Sequence, residues 1–215
     1  MAFPDRPVLM AIVGPGGARS AGHAIRGGAD LVQVRAKELS ARELVKLVRA
    51  VIAEVGAADK IIVNSRPDIA ELAGARGVHL PESGLDPRSV RLAFPGLAIS
   101  VSRHDRTGLE RAVDEGVDCA ILGPIFGTPG KEGRALGPAR FLEMVRGLRI
   151  PVLAVGGITP ANVASLIDSG ASGMAAIRPF EDPRFASSSA SAFRTALDLK
   201  ENDLSDASPG RSSRR

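Results

Sequence analysis

The sequence predicts one α/β domain, a (β/α)8 barrel of parallel strands, and three observations carry that expectation. Apolar runs of four to six residues alternate with amphipathic stretches along most of the 215-residue chain, the pattern of repeated strand–helix–strand units. There are eight such runs, the number that closes a parallel sheet on itself. Trp and Tyr are absent and Phe is scarce, so Val, Ile, Leu and Ala must build the core, as they do in strands buried on both faces.

In chain order the expected strands are Val8–Val13, Leu31–Arg35, Lys60–Val63, Gly77–Leu80, Ala98–Ser102, Cys119–Gly123, Val152–Val155 and Gly173–Ile177. His23 falls on an outer helix after the first. Over Ser40–Val55, Leu44, Leu47, Val48, Val51 and Ile52 recur at three- and four-residue spacing, one apolar helix face. Ser40 with Glu43 reads as a capping box, and Thr159 before Pro160 as a second helix start. The connection from Gly123 to Gly137 is Gly-rich, basic and longer than most of its kind, which suggests a mobile lid. Residues 1–200 make the barrel, and Glu201–Arg215, with little to bury, is expected to be a disordered tail.

A net charge of +4 and a pI near 9.8 favour anionic ligands. Acidic and basic residues are interspersed and stacking aromatics are lacking, so a nucleic-acid partner is not expected. No apolar run is long enough for a membrane span and no signal-like leader precedes the first strand, pointing to a cytoplasmic protein. The lone Cys119 reads as a small buried hydrophobe. No His, Cys, Asp or Glu cluster has metal-site spacing.

The working face of such a barrel is the C-terminal end of its strands. Strand two ends with Gln33, Arg35 and Lys37 on one side, opposite Val34 and Ala36, a donor row for an anionic group or a solvated basic turn. Strand three ends at Asn64, an amide that can bind a substrate edge or make a turn. His79 in strand four is either a structural imidazole or a ligand. Ser102 and His104 end strand five, and His104 is the best candidate for proton transfer. Thr128, Lys131 and Arg134 in the lid could clamp phosphate. Strand seven runs into Gly156 and Gly157, whose N–H groups can approach an anion closely, and strand eight runs to Ile177 and Arg178.

Taken in order, Val32-Gln-Val-Arg-Ala-Lys, Ile62-Val-Asn-Ser-Arg-Pro-Asp-Ile-Ala, Gly77-Val-His-Leu, Val101-Ser-Arg-His, Gly123-Pro-Ile-Phe-Gly-Thr-Pro-Gly-Lys, Ala154-Val-Gly-Gly-Ile and Gly173-Met-Ala-Ala-Ile resemble the thiamine phosphate synthase/TenI family. The resemblance runs from about residue 8 to residue 180. It implies a (β/α)8 barrel that either joins a pyrimidine diphosphate to a thiazole phosphate, releasing pyrophosphate with Mg²⁺, or tautomerises a thiazole carboxylate phosphate. It assigns Gln33, Arg35, Lys37, Asn64, Thr128 and Lys131 to the pyrimidine diphosphate, and Gly157 with the backbone at Ile177 to the thiazole phosphate. Ser102 matches a hydroxyl beside the reacting centre.

Two departures shape the expectation. The family's Mg²⁺-binding acids are replaced by Ser65 and Gly84, although Glu82 and Asp86 lie nearby. The tautomerase histidine of strand six is replaced by Pro124, so that His104 or His79 would have to move the proton. The sequence therefore favours a TenI-like protein that binds thiazole phosphate and shifts a proton without a cofactor. Alternatives are a synthase using Mg²⁺ and a barrel that binds without catalysing. A homodimer would be ordinary for such an enzyme.

Overall fold

Eight parallel strands pair in strict chain order, and the eighth returns to the first. The computed structural model describes residues 6–127, 133 and 135–206, with side chains as far as Leu199. The strands are β1 (Val8–Val13), β2 (Leu31–Val34), β3 (Ile61–Asn64), β4 (Gly77–Leu80), β5 (Ala98–Arg103), β6 (Cys119–Leu122), β7 (Val152–Val155) and β8 (Gly173–Ala176). Each is followed by a helix: α1 (Ala18–Arg26), α2 (Ala41–Val55), α3 (Pro67–Ala73), α4 (Pro87–Ala93), α5 (Arg106–Asp114), α6 (Gly137–Val145), α7 (Ala164–Asp168) and α8 (Pro183–Asp206). This is the expected barrel, with strand ends shifted by a residue in places. β3 reaches Asn64, which places that amide within the sheet.

Alternation along the strands divides the core in two. In β1, Leu9, Ala11 and Val13 face the helices and pack with Val34, Val63, Val101 and the buried Phe141 and Phe193. Val8, Met10 and Ile12 face inward and meet Leu31, Cys119, Ile121, Leu153 and Ala175 in a plug inside the barrel. Cys119 sits in that plug, and burial pushes its thiol pKa far up, so it is an inert apolar filler.

Closure is tight where β8 meets β1. Gly173 has φ +141°, and a Cβ there would lie 2.1 Å from the carbonyl oxygen of Val8, so only glycine lets the two backbones pair. Outside that seam, Asp30 accepts from the backbone N–H of Leu9 at 2.8 Å and from the Arg194 guanidinium of α8 at 3.0 Å. Arg6 reaches the same carboxylate.

The capping box at Ser40 and Glu43 forms as expected and starts α2. The start expected at Thr159 does not form, since α7 begins only at Ala164. Asn162 Oδ1 accepts from the Thr159 N–H at 2.8 Å, and the Thr159 carbonyl takes Asn162 N–H and Val163 N–H. This is the reciprocal half of a capping box, and with the Val163 bond it makes a single turn over residues 160–163 before regular α7. α8 runs on to Asp206, so Glu201–Asp206, expected within a disordered tail, are helical. The rest of that tail lies outside the described residues. No helix among the described residues is long and apolar enough to cross a membrane.

Candidate functional site

Above the apolar plug the interior of the barrel turns polar. Register places Asn64 beside His79 and His79 beside Ser100, and residues paired across parallel strands project from the same face. Gln33 joins them from β2, 2 % exposed, its amide nitrogen 3.9 Å from the sulfur of Met10. Val34 and Ala36 turn outward into the core beneath the helices, while Arg35 and Lys37 stand exposed beyond the end of β2. Of the three expected donors, the amide is buried and the two cations stand at the mouth.

His79 is 5 % exposed and hydrogen-bonded at both ring nitrogens, Nδ1 to Ser100 Oγ at 3.0 Å and Nε2 to Ser102 Oγ at 2.8 Å. Burial, reinforced by the charges of Arg35 and Arg103, lowers its pKa from the ordinary 6.5 to about 4. At neutral pH it is a neutral ring that orients its two serines and has no imidazolium proton to give. Arg103 itself points outward, where it meets Glu115 and the Gly108 carbonyl and is 3 % exposed.

His104 follows β5 at the rim and pairs through Nδ1 with the carboxylate of Glu82, which follows β4. Both are partly open to solvent. The structure thus gives the expected proton-transfer histidine a carboxylate that orients it, a partner from a strand away that sequence spacing did not reveal.

Two strands on from β5, β7 ends in Gly156 and Gly157 with φ +98° and +64°. The Gly156 carbonyl accepts from Phe126 N–H, and the Gly157 carbonyl accepts from Asn162 Nδ2 at 3.1 Å. With its carbonyls held by the framework, this loop is shaped to turn N–H groups toward an anion. Asn162 braces it, a role the sequence reading missed although an Asn three residues after Thr159 is a recognisable turn signal. Ile177 and the exposed Arg178 begin a short 3-10 turn after β8, beside the same loop in strand order. A separate, mostly apolar cleft of about 330 Å³ lies between Thr159–Pro160 and the Ser188–Phe193 face of α8. The lid residues Thr128, Lys131 and Arg134 lie outside the described residues.

The positions that the family resemblance links to Mg²⁺ hold no carboxylate cage. Ser65 sits at φ +64° and accepts from Asn64 Nδ2 at 2.7 Å. Gly84 turns the chain, its N–H bonded to the Pro81 carbonyl. Asp86, a conceivable substitute, caps α4 by accepting from Ser89 N–H and Oγ, both at 2.8 Å, and Glu82 is engaged by His104. No group of three or more His, Cys, Asp or Glu side chains suited to a metal ion occurs among the described residues. The residues present do not fit a hard dication held by the protein.

Comparison with known proteins agrees with this geometry. A family model described as thiamine monophosphate synthase matches residues 12–180. A putative thiamine-phosphate synthase of Geobacter sulfurreducens is 39 % identical over 170 residues, covering 75 % of this chain and 79 % of that protein. A thiamine-phosphate synthase of Chlorobium luteolum is 40 % identical over 158 residues, covering 72 % and 74 %. Among solved structures, a thiamine phosphate pyrophosphorylase from Pyrococcus furiosus shares the fold with a TM-score of 0.80 at 24 % identity, over 90 % of this chain and 96 % of that one. The polar barrel mouth, the glycine loop after β7 and these matches have one conclusion: the chain belongs to the thiamine phosphate synthase/TenI family of (β/α)8 enzymes.

Proposed function

We propose that this protein is a thiamine phosphate synthase, joining a hydroxymethylpyrimidine diphosphate to a thiazole phosphate. The observation that carries the reading is an exposed pair of cations and a positive-φ glycine loop on one mouth, each suited to an anion. Arg35 and Lys37 follow β2, whereas the Gly156–Gly157 loop follows β7, three strands away round the closed barrel. Two separate anion subsites suit a reaction of two phosphorylated substrates. Relatives that are 39–40 % identical carry the synthase name, which supports this reading above the tautomerase that the sequence favoured.

In this reading the thiazole nitrogen bonds to the pyrimidine methylene carbon, and the bond from that carbon to the diphosphate oxygen breaks. The electron pair leaves with pyrophosphate, so no side chain has to supply or remove a proton. Arg35 and Lys37, with Thr128 and Lys131 of the lid, offset the charge gathering on the leaving group. Gln33 and Asn64 orient the pyrimidine, and Gly156, Gly157, Ile177 and Arg178 hold the thiazole phosphate. The described side chains do not form a site for Mg²⁺, so these cations carry the neutralisation of the leaving group. Incubating the purified protein with both substrates, with and without Mg²⁺, should release pyrophosphate together with coupled product. No release under either condition refutes the proposal.

One observation favours the tautomerase as a second reading, the Glu82–His104 pair at the rim. It predicts aromatisation of the thiazole carboxylate phosphate, lost in His104→Ala. A barrel that binds thiazole phosphate by calorimetry and performs neither reaction would be a ligand-binding protein. The barrel is taken to act in the cytoplasm, and sedimentation would test the expected homodimer.

A further inference from the structure

The positions at which a carboxylate could hold a dication beside a diphosphate are closed by the backbone or put to other use. After β3, Ser65 is fixed on both sides, its N–H donating to the His79 carbonyl at 2.8 Å and its hydroxyl oxygen accepting from Asn64 Nδ2 at 2.7 Å. After β4, a Cβ at Gly84 would lie 2.9 Å from the Pro81 carbonyl oxygen and 3.1 Å from the Pro81 ring, so this turn has no room for an acid. Glu82 pairs with His104, and Asp86 holds the first turn of α4 through Ser89 N–H and Oγ. A Mg²⁺ ion shared with substrate phosphates ordinarily takes one or two protein carboxylates, and none is free here among these positions. Cations occupy the same mouth. Arg35 N–H extends the β1–β2 ladder by donating to the Val13 carbonyl at 2.8 Å, and Lys37 lies in the turn that Leu39 N–H closes on the Ala36 carbonyl. Both side chains are exposed, and the charge of Arg35 reaches the buried His79 ring. Neither is paired with a carboxylate among the described residues. A guanidinium grips phosphate oxygens in a two-point fork, and an ammonium adds a compact charge. A dication clamped on the diphosphate would cover the same oxygens and cancel the charge that draws these side chains in.

We infer that this protein takes its diphosphate free of metal, with Arg35 and Lys37 standing in for the dication, and that Mg²⁺ opposes binding by sequestering the diphosphate in solution. The inference rests on the synthase reading and gives its diphosphate subsite a defined ligand species. The bonds made and broken are those already described. The electron pair of the carbon–oxygen bond stays on the departing pyrophosphate, and the added charge falls on the two side chains.

The probe is inorganic pyrophosphate, titrated calorimetrically into the full-length protein in a chelator and in excess Mg²⁺, with ionic strength matched by potassium chloride. Binding should be at least about tenfold tighter in the chelator, the scale of one charge-assisted hydrogen bond. Arg35→Gln and Lys37→Gln should each weaken the metal-free binding by about tenfold or more. A smaller preference for the chelator, tighter binding with Mg²⁺, or unchanged affinity in either variant overturns the inference. Turnover is an independent check, because coupled product should form in the chelator at least as fast as in excess Mg²⁺. Pyrophosphate binding and turnover that both require Mg²⁺ overturn the inference and leave the synthase reading standing. Pyrophosphate that binds under neither condition overturns both.

Discussion

Replacing Gly157 by Ala separates the two demands made on that position, its backbone conformation and its closeness to the start of the lid. Gly157 has φ +64°, and an alanine held there costs about 1–2 kcal/mol. A Cβ would also lie 2.6 Å from the Gly127 carbonyl oxygen and 2.7 Å from that of Phe126. Ordinary contact begins near 3.4 Å, so this backbone must recede by about 0.8 Å, the difference between 3.4 and 2.6. Overpacking of this kind adds about 1–3 kcal/mol. The total of about 2–5 kcal/mol corresponds to a fall in Tm of roughly 5–15 °C for a chain of this size. Gly56→Ala is the control, because Gly56 has φ +72° with no atom within 4 Å of the added Cβ. It should lose only the conformational part, roughly 2–6 °C. Thermal unfolding and calorimetric titration of thiazole phosphate check both halves, with a loss of at least about tenfold in affinity for Gly157→Ala and none for Gly56→Ala. Equal Tm values for the two variants, or unchanged thiazole phosphate affinity in Gly157→Ala, would refute the reasoning.

Three further outcomes are expected. His79 has a pKa of about 4 when folded against 6.5 ordinarily, so between those pH values the unfolded chain binds a proton that the folded chain does not. This contribution is fully present above pH 6.5 and is lost toward pH 4, about 3 kcal/mol in all, and urea midpoints should show a steeper acid slope for the unaltered protein than for His79→Gln. Asp30→Ala leaves the buried Arg194 without one of its carboxylates and should cost about 2–3 kcal/mol; a Tm change under about 3 °C in thermal unfolding would count against the seam described above. Ser65→Asp restores an acid where φ +64° suits Asp better than most residues. It should leave the fold intact and tighten Mg²⁺ binding in the presence of pyrophosphate by at least about tenfold in calorimetry, and no change would refute the assignment of that position.

Much of the fold is local and therefore legible in the sequence. The inward set of Val8, Met10 and Ile12 and the outward set of Leu9, Ala11 and Val13 follow from a period of two, and the Ser40–Glu43 box from a spacing of three. The glycine loop at 156–157 was legible because two adjacent glycines after an apolar strand signal positive φ. The partners of His79 were not, because they depend on cross-strand register with residues more than twenty positions away. The same holds for Glu82 and His104. Asp86 lies near the Mg²⁺ position of the family, but Asp-Pro ahead of a short amphipathic stretch is a cap signal, and in the structure it caps α4. At Thr159 the signal marks a single turn, with the Asn162 side chain on the Thr159 N–H, and regular helix begins only at Ala164.

The seam between β8 and β1 bears on how the molecule is made. Val8 pairs with Gly173, and Asp30 waits for Arg194, 164 positions later in the chain. A nascent chain stopped before β8 therefore presents two unpaired sheet edges, β1 and β7, each able to pair with another chain. Closure is a late, long-range event that local helix formation cannot hasten. Substitutions at Gly173 or Asp30 should then reduce the yield of soluble protein during synthesis more than they reduce the stability of molecules that have already closed.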